Sequence, residues 1–209
     1  MKANAKTNSA NSANSANSAN SANSDGAMAI AVVTAALKSR LSNGLVAFGN
    51  VNVIAQPPDK IAIGENEDGQ INLFLYRVAP HTRLMAAKPI GLRVKDEPGA
   101  LSLELNYLLT VYAAQDFQSE ILLGRAIQLI HQSPVLTVAE LNRATQEFQG
   151  KRTGQSGSGQ RADWIEEVRI TPQFLNFEEM ARLWSSLQAR YRPSVAYQAS
   201  PVVIQGKQS

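Results

Sequence analysis

His81 and His131 are the two imidazoles of this 209-residue chain, and they stand fifty positions apart. A metal centre needs three or four ligands, and neither histidine has a third partner near it in sequence. His81 follows Pro80 in an expected loop. His131 lies at the end of an expected helix, where the dipole favours a cation. Glu166 and Glu167 are neighbours on an expected strand, so their carboxylates point to opposite faces and cannot act as a pair. Glu178 and Glu179 fall in the first turn of a helix, and the dipole accounts for them. "GENEDG", Gly64 to Gly69, would place Gly64 and Leu75 at the outer ligand positions of a calcium loop, and both fail. Gly157-x-Gly159-x-x-Ala162 matches the relaxed dinucleotide fingerprint in letters only. It sits in a Gly/Ser/Gln stretch ahead of a strand, whereas the motif follows a strand and opens a helix. "GKRT", Gly150 to Thr153, lacks the hydroxyl residue after the lysine and the upstream glycine of a phosphate loop. No serine has a G-x-S-x-G surround, and with no cysteine in the chain thiol catalysis and disulfides are excluded. The residues predict no catalytic group, no cofactor-binding residue and no metal ligand, hence a protein that is not an enzyme and needs no cofactor.

The elements that would have to position such groups say more. "TNSANSANSANSANSANSDG" is a polar three-residue repeat without a large apolar side chain. It cannot bury enough surface to offset its ordering entropy, so residues 1–26 are expected to be a disordered leader. Gly26 to Met28 reads equally as a cloning scar or as the approach to a native start at Met28. One domain is expected over 27–205, with a flexible loop at 150–161 ("GKRTGQSGSGQR") and a polar tail at 206–209. There is no signal-peptide pattern, and no run approaches the roughly 18 apolar residues of a spanning helix. A net charge of +3 is small for this length.

Ile30, Val33, Leu37 and Leu41 recur at helical spacing, with Asn43-Gly44 as a stop, which predicts a helix over 29–42. "VNVIAQPP" reads as a short strand and "QINLFLYRV", Gln70 to Val78, as a central strand, apolar on both faces. "LSLELNYLLTVYAAQD", Leu101 to Asp116, is the clearest signal. Leu101, Leu103, Leu105, Tyr107, Leu109, Val111 and Ala113 alternate with polar residues, and Leu108 breaks the pattern. It is expected to be the backbone of the sheet. A helix from Phe117 to Gln132 has apolar residues nearly all round, which predicts deep burial or burial on two sides. "TVAE" and "NFEE" have the capping-box form at Thr137/Glu140 and Asn176/Glu179. The second opens a helix with Phe177, Met180, Trp184 and Leu187 on one face. "WIEEVRITPQFL" between them reads as a strand. Arg192 to Gln205 is a last extended segment whose Pro201 argues for an edge strand or a departing arm. The sum is an α+β domain, a single mixed or antiparallel sheet packed by helices.

Three stretches together carry a family resemblance: "INLFLYRV", "LSLELNYLLTVYAAQDFQSEILLGRAIQLIHQSPVLT" and "MARLWSSLQARYRPSVAYQASPVVI". Their order and spacing resemble the N-terminal domain of the tail-terminator, or cap, subunits of contractile injection systems, phage-tail-like particles such as the antifeeding prophage and related virulence cassettes. Tyr107-Leu108-Leu109-Thr110 followed by Leu123-Gly124, and Arg192-Pro193-Ser194 with Tyr197, are the more specific parts. The resemblance implies a phage tail-terminator-like fold. It also implies a homo-oligomeric ring, usually a hexamer, seated on the distal end of an inner tube and its sheath. Such a ring ends polymerisation and stabilises the extended sheath, with inner tube protein and sheath protein as partners. It implies no catalysis, no cofactor, no nucleic acid and no direct membrane insertion, and a cytoplasmic place within the assembled particle. Some members carry a further C-terminal part, whose functions are not carried over. Neither the Asn-Ser-Ala leader nor the "GKRTGQSGSGQR" stretch has a counterpart in the pattern.

The subunit or sheath interface is expected at Arg192, Tyr197, Val202, Val203 and Ile204, because an apolar end beyond Pro201 suits contact with a neighbour. Two alternatives stand beside the cap. One is a tube-only terminator or a head-to-tail joining protein. The other is a basic nucleic-acid-binding module using Lys151, Arg152 and Arg161, with Trp164 as the one aromatic close by for stacking.

Overall fold

A computed structural model describes residues 28–61, 69–81, 101–153 and 167–204, with backbone alone at 148–153. The leader, most of the acidic turn, the stretch 154–166 with Gly157, Gly159, Arg161, Ala162, Trp164 and Glu166, and the tail at 206–209 lie outside the described residues. So do the side chains of Lys151 and Arg152. The helices are α1 (Ala29–Leu45), α2 (Gln118–Gln132), α3 (Val138–Thr153) and α4 (Phe177–Ser186). The strands are β1 (Asn52–Ile54), β2 (Gln70–Pro80), β3 (Leu101–Tyr112), β4 (Val135–Leu136), β5 (Val168–Gln173) and β6 (Ser194–Ile204). They form one six-stranded sheet in the order β1-β2-β3-β6-β5-β4. β1 runs parallel to β2 and every other pair is antiparallel. This is the mixed-sheet α+β architecture that the periodicity predicts.

β3 organises the packing. Leu103, Leu105, Tyr107, Leu109 and Val111 enter the main core, where α1, α2 and α3 contribute Leu37, Leu41, Leu122, Ile130 and Leu141. Leu108 points the other way, into a second cluster with Met180 and Trp184 of α4. The break in the alternation is therefore a requirement, because adjacent strand residues face opposite sides and this strand serves an apolar layer on each. Each fully buried leucine contributes roughly 1.5–3 kcal/mol of burial free energy.

Several polar groups in these layers have partners, whereas among the described residues the Thr110 hydroxyl and the Trp184 indole N–H do not. Thr34 in α1 donates its hydroxyl proton to the Ile30 carbonyl (3.0 Å), so the fully buried Tyr107 hydroxyl donates to Thr34 Oγ1 (2.8 Å). Burial holds the Tyr107 phenol well above its ordinary range. Asn72, fully buried in β2, accepts from Gln56 N–H and donates to Gln56 O, both at 3.0 Å. Its side chain thereby continues the β1–β2 ladder past Ile54, where the backbone pairing ends.

Arg40 ties α1 to the start of α3 and to the chain around β4. Its Nη2 lies 2.8 Å from Oε1 and 2.6 Å from Oε2 of Glu140, and its Nε is 3.0 Å from Oε1. The same guanidinium donates to the Val135 carbonyl (2.7 Å) and to the Ser133 carbonyl. Glu140 also accepts from Thr137 N–H and Oγ1, both at 2.9 Å, and its own N–H donates to Thr137 Oγ1, which completes the predicted capping box. The box at Asn176/Glu179 is present too.

The structure departs from the pattern in several places. α1 continues through Asn43-Gly44 to Leu45. A Cβ at Gly44 would come within 2.5 Å of Leu129, so the glycine serves the close approach of α1 and α2 and stops nothing. β4 is two residues long, too short for a period-2 signal. α2 buries one stripe, Leu122, Ala126 and Ile130, while Ile121 is exposed, so the expected all-round burial is corrected. α3 carries the chain in helix through Thr153, so 150–153 is not loop. β6 is an interior strand between β3 and β5. Pro201 is tolerated there because the last β5–β6 pair is Arg169↔Ser200, and on the β3 side it falls in an irregularity between Val202↔Leu103 and Ala199↔Leu105. Its missing N–H leaves no ladder bond unmade.

Two outcomes follow from this packing. Trp184→Ala should cost about 3–5 kcal/mol of stability, typical of a buried aromatic, read as a lowered urea midpoint or as insoluble protein. Burial alone would raise the Glu140 carboxyl, but its bonds to Arg40 and Thr137 and the Arg40 charge hold it below its ordinary value. The unfolded chain then binds more protons than the folded one at acid pH, so this stabilisation is present above the ordinary carboxylate value and fades as pH falls through the lowered one. Urea melts across that range should show Glu140→Gln less stable at neutral pH and less sensitive to acid than the natural chain.

Candidate assembly surface

The five residues expected at an interface do not form one surface. Tyr197 is buried in the main core opposite Tyr107, and burial raises its phenol above the ordinary value. Val202 is also core, paired with Leu103. Ile204, half-buried, packs against the same core beside Leu101. Val203, half-buried, lies on the opposite face from Val202. The departing arm is thus corrected: these residues add three pairs to β3, Leu101↔Ile204, Ser102↔Val203 and Leu103↔Val202. Arg192 stands before the other end of β6, about 35 Å away at strand rise.

Arg192 has a defined environment of its own. Thr110↔Ser194 is the last β3–β6 pair, which brings Arg192 beside Tyr112. The guanidinium carbon sits 4.6 Å above the Tyr112 ring, a cation–π contact of about 0.5–2 kcal/mol. Burial raises the Tyr112 phenol, with Thr110 and the Arg192 charge pulling the other way. Both residues line an open cleft of about 350 Å³ together with Pro58, Asp59, Gln188 and Arg190. Nothing local in the sequence signals this contact, because it depends on the β3–β6 register.

His81, Glu178 and Glu179 have structural partners. His81 continues the β2–β3 ladder through its N–H to the Ser102 carbonyl (2.9 Å), and its Nδ1 lies 2.8 Å from Glu104 Oε1. His131 is exposed. Glu179 is in the capping box and Glu178 pairs with Arg182 at 2.5 Å. Among the described residues no three metal-ligating side chains converge, and no helix is long and apolar enough to cross a membrane.

Exposed large apolar residues are what the sequence reasoning missed. Phe177 was expected on the buried face of α4, yet only Met180 and Trp184 are buried there. Phe177 instead meets Tyr191 with ring centroids 6.2 Å apart, and Tyr191 meets Trp184 at 6.1 Å. Phe174 stands exposed just after β5. A second group lies on the other side of the sheet, where Phe117 and Ile121 open α2 and Phe48 follows α1. Phe117 has φ +62°, a left-handed backbone that costs a bulky residue about 1–2 kcal/mol.

The fold these elements define is shared with a tube-terminating cap. The cryo-EM structure of the anti-feeding prophage cap superposes with a TM-score of 0.51 at 20% identity, over 82% of this chain and 54% of that one. The PVC sheath/tube terminator in the extended state, from an extracellular contractile injection system, gives 0.48 at 17% identity, over 83% and 56%. The chain thus spans just over half the length of either protein. No curated protein sequence matches it. Residues 32–209 match the Pvc16 N-terminal domain, and the chain belongs to that family.

Because Val202 is core, truncation after Ser200 should destabilise the domain. Loss of this one burial alone removes about 1.5–3 kcal/mol, and the three β3 pairs go with it. Thermal melts of full and truncated chains, followed by circular dichroism, should show the truncated form melting clearly lower. Equal melting would place 201–204 outside the fold.

Proposed function

We propose that this chain is the structural cap, or tail terminator, of a contractile injection system. A ring of copies, six in this reading, sits on the distal end of the inner tube and sheath, ends polymerisation and keeps the sheath extended. The observation that carries it is the family match, which runs through nearly all of the described domain. The fold shared with the anti-feeding prophage cap supports it. So does the surface, where exposed aromatic groups occupy both sides of the sheet, as a subunit with several neighbours requires. In this reading the protein does no chemistry and needs no cofactor or nucleic acid. It joins the particle in the cytoplasm without entering a membrane. Interface residues are proposed at Arg192, whose cleft is open, and at Val203 and Ile204 on the rim at the far end of β6.

Electron microscopy of particles assembled with and without the chain tests this. Without it, tubes should vary in length and sheaths should be contracted or uneven. With it, a ring of density should close one end. A change in tube length with sheaths unaffected would favour a tube-only terminator, and particles identical in both preparations would sink the cap reading.

A further inference from the structure

Arg190 and Arg192 are the two cations of the open cleft that Asp59, Tyr112 and Gln188 also line. Among the described residues neither guanidinium has a hydrogen bond or an ion pair, and the Asp59 carboxylate has none either. Arg192 is half-buried, and Tyr112, which ends β3 beneath it, is 5% exposed and forms a fixed platform. The ring attracts the charge through the 4.6 Å contact but offers no acceptor oxygen. The N–H fork of Arg192 is therefore left for a carboxylate, which such a fork takes through two parallel bonds. A cation that has lost part of its hydration is costly until an acceptor meets it. The left-handed turn at Gln188 (φ +52°), just after α4, carries the chain into this cleft and brings a carboxamide to the same lining. The charges of α4 are engaged elsewhere. Glu178 pairs with Arg182, Glu179 closes the capping box, and none of the three lines the cleft.

We propose that this cleft is a carboxylate-binding site, and that its occupant is an aspartate or glutamate side chain of a neighbouring protein. Two arginines and one aspartate leave the lining with a single net positive charge, which suits a singly charged group. A doubly charged phosphate would be repelled by Asp59 more strongly, whereas Asp59 accepts a backbone N–H of a bound protein segment without penalty. A volume of about 350 Å³ holds one side chain with the backbone that carries it, at the small end of ligand sites. That Arg192 faces a neighbour at all rests on the cap reading; the chemistry of the site rests on the cleft.

The test titrates the full-length, nitrogen-labelled chain with N-acetyl-glutamate N-methylamide, whose one ionised group is a side-chain carboxylate. The Arg192 Nε–H resonance and the backbone amides of Gln188 and Arg190 should shift and saturate in the millimolar range. The uncharged glutamine counterpart should leave them in place. Arg192→Lys keeps the charge and loses the fork, so the same amides should report binding weakened about tenfold. Asp59→Asn should strengthen the binding of inorganic phosphate more than that of the glutamate compound. The absence of a saturable shift would overturn the proposal, and so would phosphate binding the natural chain more tightly than the glutamate compound does. Glu65, Glu67 and Asp68 follow Ile61 of the lining in sequence. Shifts that arise only once Glu65→Gln, Glu67→Gln and Asp68→Asn are combined would make this chain its own occupant and overturn the neighbour. Particles are then assembled with Arg192→Glu, and separately with the exposed Arg190→Glu, after circular dichroism has shown each variant folded. Both should be depleted from particle ends, and ends that retain them in full would overturn the neighbour as occupant. Particles identical with and without the natural chain would remove the cap reading, while a positive titration would still support the carboxylate site.

Discussion

Leu108 and Leu109 are adjacent in β3 and both fully buried. A strand permits this only where apolar layers cover both faces of the sheet. The rest of the domain is arranged around that constraint. On one face α1, α2 and α3 form the larger layer, and on the other α4 alone supplies Met180 and Trp184. β2 and β6 flank β3 and complete the surfaces on which these helices rest. The strand's length matters as much as its pattern. At 12 residues it reaches from the Leu101–Ile204 end to the Tyr112–Arg192 end, so the two rims of the domain are held in a fixed relation.

Interior polar groups act mainly as joints between elements. Tyr107 fastens the sheet to α1 through Thr34, and Asn72 extends the short parallel pairing of β1. Arg40 connects α1 to the start of α3 and to the chain around β4. A charge only 11% exposed is costly unless hydrogen-bonded to several acceptors, and here a carboxylate and two carbonyls provide them. These joints stiffen the helical layer whose outer side carries Phe117, Ile121 and Phe48. A rigid layer suits a docking surface because less conformational freedom is lost on association.

Much of this was legible in the residues. Period-2 alternation located β3, a run apolar on both faces located β2, and the two Thr/Asn-x-x-Glu boxes placed the starts of α3 and α4. The family pattern pointed to the fold that the structure shares with the anti-feeding prophage cap. Each of these signals is local: it depends on the few side chains that share one face or one helix turn. Pro201 shows where locality fails. A proline lacking its N–H argues for an edge, but whether that donor is needed depends on how far β5 reaches, and β5 ends its pairing one residue short.

The candidate surface was the least legible part for the same reason. Phe177 and Ile121 carry the periodicity of core residues, and only the packed helices show that other side chains took the interior places. Arg192 meets Tyr112 across eighty positions of sequence because the β3–β6 register puts them together. The sequence by itself determined most of the strand and helix segments and which of their faces are apolar, since these follow from side-chain type and spacing. The tertiary structure alone decided strand order, the interior position of β6, and which apolar side chains remain outside. Those depend on contacts between residues far apart in the chain, where the available interior is limited and each place filled by one side chain is denied to another.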